Sequence, residues 1–307
     1  MLALALLLAA LDFAQLERQF QYDAAQPLAI EQKLLFDRDG VRVYDLTYAS
    51  PKGGRVTAYL TVPARPGNYA GIVFGHWGPG NRTEFLPEAQ IYSRAGAVCL
   101  MIDYPWTRPA PWHADADDIE EPAKSVELQT QAVIDLRRGL DLLTAHEGVD
   151  AKRLAYVGHS YGAQLGAILS AVDKRLRTAV LMAGIPDNGA VALEGNTVGI
   201  AKWRERTGVA KIEASLVILR ATAAIEYVPH AAPTPLLFQF ARLETSFSTP
   251  AMERFAAAAS HPKTVLWYDT GHELNDPRAL GDRARWLARH LTLRSVDRQL
   301  RTAPGRE

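Results

Sequence analysis

Cysteine is almost missing. Cys99 is the only one in 307 residues, so no disulfide can form within the chain. It lies in the apolar run Ala97 to Ile102, which makes it a core thiol rather than a nucleophile. Excess charge is missing too: 34 Lys and Arg balance 34 Asp and Glu. With no basic stripe interleaved with aromatics, nucleic acid is excluded as an expected partner. There is no Cys/His cluster and no His-Glu-x-x-His helix, hence no expected metal site. No internal repeat is visible. The apolar run Leu2 to Leu11 is too short to span a bilayer, so no integral membrane segment is expected.

That run does have the length of a signal-peptide core. No Lys or Arg precedes it and no clean small-x-small site follows it. The alternative is an apolar N-terminal helix continuing through Phe13, Leu16 and Phe20. A secreted or periplasmic location is the expectation over a cytoplasmic one, and residues 1–20 are set apart from the fold.

What is present is a large α/β pattern over residues 21–292. Val41 to Tyr48 and Arg55 to Val62 alternate at period two around Pro51-Lys52-Gly53-Gly54, which predicts an antiparallel hairpin. Continuous apolar runs follow at Gly71 to Phe74, Ala97 to Ile102, Leu154 to Val157, Ala179 to Ala183, Leu236 to Phe240 and Val265 to Tyr268. Such runs fit strands covered on both faces. Helical patterns separate most of them. In Lys124 to His146, Val126, Val133, Leu136, Leu140 and Leu143 mark the apolar face; Lys124, Glu127, Gln131, Asp135 and Arg138 mark the polar one. Alternation of this kind implies a mostly parallel sheet with right-handed crossovers and helices on both faces. Residues 185–235 are too many for one crossover and predict a helical cap insertion over the strand ends. The Arg-rich residues 293–307 read as a solvated, flexible tail.

Chemistry is concentrated at Gly158-His159-Ser160-Tyr161-Gly162. An apolar strand enters this Gly-x-Ser-x-Gly and a small-residue helix, Ala163 to Ala171, leaves it, the context of a nucleophile elbow. Glycine is needed at both flanks because a Cβ would meet neighbouring backbone. A serine nucleophile requires a base held by an acid. His272, in Gly271-His272-Glu273 between the last strand and the last helix, is placed to be the base. His159 is expected to point away from Ser160. The acid belongs between nucleophile and base in chain order. Glu244, just after Leu236 to Phe240, leads; Asp187, after the preceding strand, stays open as the alternative. An oxyanion needs two donors. The Tyr161 amide is one, and the Trp77 amide, in Gly75-His76-Trp77-Gly78-Pro79-Gly80, is the expected second. His76 braces that loop or lies by the substrate. Trp106 and Trp112, in the stiff loop after Asp103, are candidate walls of an acyl or sugar pocket, and Arg108 is a candidate for attracting a substrate carboxylate.

Taken together, the His76-Trp77-Gly78 loop, the Gly158 to Gly162 elbow, Glu244 and Gly271-His272 resemble the α/β-hydrolase superfamily. Within it the likeness is to the dienelactone-hydrolase-like and acetylxylan-esterase-like serine hydrolases, over about Val41 to Leu291. The resemblance implies a Ser160–His272–Glu244 triad acting on a small-molecule carboxylic ester through an acyl-enzyme, with no cofactor. Dienelactone hydrolases proper carry cysteine where Ser160 stands, and aspartate is commoner than glutamate at 244. Two other readings compete: a prolyl-oligopeptidase-type serine peptidase and a non-catalytic binding protein on the same fold.

Overall fold

A computed structural model describes residues 12–301. The candidate signal-peptide core lies outside the described residues. Asp12 caps a short helix, α1 (Phe13–Arg18), by accepting from the Ala14 amide. Three strands follow, β1 (Glu31–Arg38), β2 (Val41–Ala49) and β3 (Arg55–Pro63), each antiparallel to the next. Then come β4 (Tyr69–Gly75), α2 (Leu86–Arg94), β5 (Ala97–Ile102), α3 (Pro122–Ala145), β6 (Val149–His159), α4 (Tyr161–Val172) and β7 (Leu176–Met182). Four helices form the insertion: α5 (Asn188–Ala192), α6 (Val198–Thr207), α7 (Val209–Leu219) and α8 (Ala224–Tyr227). The chain closes with β8 (Leu236–Ala241), α9 (Thr249–Ala258), β9 (Lys263–Tyr268), α10 (Pro277–Leu291) and α11 (Val296–Arg301).

The nine strands of the described residues make one sheet in the order β1-β2-β3-β5-β4-β6-β7-β8-β9, and from β5 through β9 every pairing is parallel. Because side chains alternate across a strand, neighbouring residues feed opposite cores. Leu100 and Ile102 join Leu136, Leu140, Leu165 and Ile168 on the α3/α4 face. Cys99 and Met101 join Ala89, Tyr92, Ala284 and Leu287 on the α2/α10 face. Cys99 is fully buried, and that burial pushes its thiol up to about 12, as an inert core residue requires. The cap insertion is helical, as expected from its length. Among the described residues no helix is long and apolar enough to cross a membrane.

Four features differ from what the sequence led us to expect. Strand β1 lacks a sequence signal because it is an edge strand with almost every residue exposed, so nothing imposes alternation. Residues 293–301 are not a solvated, flexible tail: Leu293 and Val296 are buried in the α2/α10 core, and α11 packs beside them. On α3, Asp135 and Arg138 do not face water. The segment before β1 lies across that face, with Arg137 donating to Phe20 O at 2.7 Å and Arg138 to Ala24 O at 3.1 Å. Leu16 and Phe20, set apart with the first residues, belong to the core.

Candidate active site

In an open parallel sheet, functional groups gather at the carboxyl ends of the strands. Here β4, β6, β8 and β9 each deliver one part of a single site. At the end of β6 the chain turns so sharply that Ser160 takes φ 56° and ψ −114°, outside the regions a serine normally occupies. Its amide is held by Met182 O of β7 at 2.7 Å. The flanks tolerate no Cβ: one on Gly158 would lie 2.3 Å from Gly162 O, and one on Gly162 would lie 2.2 Å from Gly75 O. α4 begins at Tyr161, and the first amides of a helix have no acceptor within it. The serine hydroxyl therefore sits at a positive helix end.

His272, in the loop between β9 and α10, places Nε2 2.8 Å from Ser160 Oγ. Its Nδ1 lies 2.6 Å from Glu244 Oε2, delivered by the loop after β8. Glu244 Oε1 accepts from the amides of Thr245 at 2.9 Å and Ser246 at 2.8 Å. Burial alone would raise the Glu244 carboxyl; the hydrogen bond and charge of His272, with the two amides, more than reverse this and hold it below its ordinary range. Ser160, His272 and Glu244 thus form one continuous hydrogen-bonded chain. Such a chain can take the serine proton and hold the resulting imidazolium. Asp187 is elsewhere: it caps α5, accepting from Ala190 N at 2.9 Å. Arg242 pairs with Asp269 at 3.2 Å and leaves Glu244 to the histidine.

The loop after β4 departs from expectation. Trp77 N–H is not open towards the serine; it donates to Glu84 Oε2 at 2.8 Å. His76 is buried beneath the loop, its Nδ1 2.6 Å from Trp77 O and its Nε2 3.2 Å from Thr107 Oγ1. These contacts make it a brace for the loop, and it does not line the cavity; burial lowers its pKa. His159 does not simply point away. Its Nδ1 lies 2.6 Å from Glu84 Oε1, and its Nε2 lies 2.9 Å from His272 O. Glu84 therefore ties the β4 loop, the elbow and the base loop together, a role no spacing in the sequence announces. In an enzyme that uses His272 as its base, replacing Glu84 by alanine is expected to lower kcat about tenfold while KM holds, because a base displaced by a fraction of an ångström aligns poorly. Steady-state kinetics with one ester would check this; an unchanged kcat would remove Glu84 from a positioning role.

In front of Ser160 lies a cavity of about 1020 Å³, with Trp77, Trp106, Tyr161 and Phe247 in its wall. Trp106 is fixed there, its Nε1 donating to Gly78 O at 2.8 Å and its ring edge-on to Tyr161 at 5.2 Å. Trp112 instead packs on the turn between β2 and β3, 3.3 Å from where a Gly54 Cβ would stand. Arg108 is also absent from the cavity. It is 2% exposed and paired at 2.5 Å with Asp135 on α3, which is fully buried. Removing one member of such a pair strands the other charge. Arg108→Ala is thus expected to cost about 3–5 kcal/mol of stability in urea unfolding. A loss below about 1 kcal/mol, the range of an exposed pair, would contradict a buried ion pair at this point.

Fold comparison agrees with this architecture: the chain has the α/β-hydrolase fold. It is similar to an acetyl xylan esterase from Paenibacillus sp. R4, with a TM-score of 0.71 at 20% identity over 90% of this chain and 91% of the other. It is also similar to acetyl xylan esterase 1 from Thermoanaerobacterium sp. JW/SL YS485, with a TM-score of 0.74 at 17% identity over 92% and 94%. A prolyl endopeptidase matches with a TM-score of 0.64 at 19% identity, covering 85% of this chain but 40% of the peptidase. At these identities the likeness is one of fold. No protein-family model matches the sequence, and no curated protein matches it by sequence.

Proposed function

We propose that the protein is a serine hydrolase that cleaves carboxylic esters through Ser160, His272 and Glu244. One observation carries the reading: the unbroken path from Glu244 Oε2 through the His272 ring to Ser160 Oγ, with contacts of 2.6 and 2.8 Å. In the proposed cycle His272 Nε2 takes the serine proton as Oγ attacks the ester carbonyl. The oxyanion forms at the start of α4, where the Tyr161 amide is the expected donor. The imidazolium then protonates the departing alcohol, leaving an acyl-enzyme. Water repeats the sequence and frees the acid. The cycle calls on no cofactor.

Similarity in fold to two acetyl xylan esterases favours an ester over an amide. The peptidase neighbour extends well beyond the length this chain matches. Turnover of esters of graded acyl length, acetylated sugars and a peptide amide would test the choice. Esters are expected to be faster; a faster amide would replace the esterase reading with a peptidase one.

A further inference from the structure

One stretch of the cavity wall has a definite electrostatic character. Asp115, Asp117 and Asp118 line it, and among the described residues no lysine or arginine does. The single cation expected there from the sequence, Arg108, is consumed by Asp135. Asp115 pairs with His113 and Asp117 caps the turn that follows it, but among the described residues Asp118 has no ion-pair partner. It is half-buried, and Asn188 Nδ2 donates to its Oδ2 at 2.6 Å. Burial raises its carboxyl, as expected for a carboxylate without a counter-ion.

Around Asp118 the hydrogen bonding is incomplete. Ser125 Oγ and Gln129 Nε2, on side chains 2% and 1% exposed, line the same cavity close enough to Asp118 to lower its carboxyl, yet among the described residues neither has a partner at full hydrogen-bond geometry; Asn188 Oδ1 is also without one. Buried polar atoms left open in this way are rare and costly. The segment carrying Asp118 is clamped to the cap: Ser215 Oγ donates to Ile119 O at 2.7 Å, and Glu120 pairs with Lys211. Nearby stands Tyr161, the residue after Ser160, whose phenol is raised by burial and further by the charge of Asp118, against a lowering hydrogen bond with Asn188. Trp203 of α6 adds an aromatic face to the cavity.

Resting on the reading of Ser160 as the reacting centre, we propose that Asp118, with Asn188 and Ser125, forms a subsite for a protonated alkylamine on the substrate. An ammonium group would supply the counter-ion that Asp118 lacks and donate to Asn188 Oδ1 and Ser125 Oγ. Its alkyl chain would lie on the aromatic wall, where its apolar surface is removed from water. Neutral esters fit the same space without satisfying the carboxylate, and anionic ones are repelled by it.

The test is competitive inhibition of a neutral ester's hydrolysis by n-pentylammonium and by 1-pentanol, matched in chain length and differing in charge. The wild type is expected to bind the ammonium at least tenfold more tightly. Asp118→Asn, which keeps size and hydrogen bonding, is expected to bring the ratio close to one, whereas Asp118→Glu retains a preference for the cation. Equal inhibition by the two probes in the wild type, or an undiminished ratio in Asp118→Asn, would overturn the subsite. If the neutral ester is not turned over at all, the hydrolase reading fails instead. Calorimetric titration of the same two probes then decides the subsite by itself.

Discussion

Ser160→Ala is expected to lower kcat for ester hydrolysis by about 10⁵–10⁶-fold with little change in KM or stability. The size follows from geometry. Ser160 Oγ is the group placed on the imidazole, at the strained turn that β6 and α4 share. Without it, water must attack directly, and only the helix-end field and substrate positioning remain to help. Alanine fits the same turn, since Ser160 side-chain atoms serve no cap and the hydroxyl bonds to His272. The fold should therefore survive, and a melting curve beside the kinetics would separate lost chemistry from lost structure. Hydrolysis at the wild-type rate in the folded variant would remove Ser160 from the mechanism.

Glu244→Gln carries the second large effect, a fall in kcat of about 10³–10⁴-fold. An amide keeps the volume but loses the charge that stabilises the imidazolium, and it can present an N–H to Nδ1 and so favour the wrong tautomer. The same position makes a prediction about pH. In the folded state the Glu244 carboxyl is held below its ordinary range, so its ionised form is the one that folding favours. A depressed carboxyl stabilises the fold at pH above the unfolded value of about 4.3, and this contribution is lost as pH falls through the lower folded value. The stability difference between wild type and Glu244→Gln is therefore expected to be constant from neutral to mildly acidic pH and to shrink in stronger acid. A difference that instead grows below the ordinary carboxylate range would reverse the assigned direction.

Much of the fold was legible because burial on both faces forces continuous apolar runs, and those runs mark β4 through β8 in the sequence; β9, an edge strand, carries one although it is only partly buried. β1 was not, since an exposed edge strand has no buried face to write a pattern. Ser160, His272 and Glu244 could be singled out because each follows a strand whose end the parallel topology brings to one edge of the sheet. Polar contacts between distant segments left no such trace. Arg108 looked like a substrate ligand because its loop lies at the functional edge; only the packing of that loop on α3 turns it towards Asp135. The hold of Glu84 on His159 and on the Trp77 amide depends on side-chain reach across 75 and 7 positions of sequence, which no local pattern encodes. Asp118 sits in an acidic stretch, Asp115 to Glu121, that carries no motif, and its segment's contacts with the cap hold it at the cavity wall.

Peptide mapping of the protein after reaction with a fluorophosphonate probe tests the central claim most directly. The account predicts one covalent adduct per chain, on the peptide containing Ser160, with ester hydrolysis lost in step with labelling. A folded protein that leaves the probe unreacted, or that carries the adduct elsewhere while Ser160 stays unmodified, would contradict it.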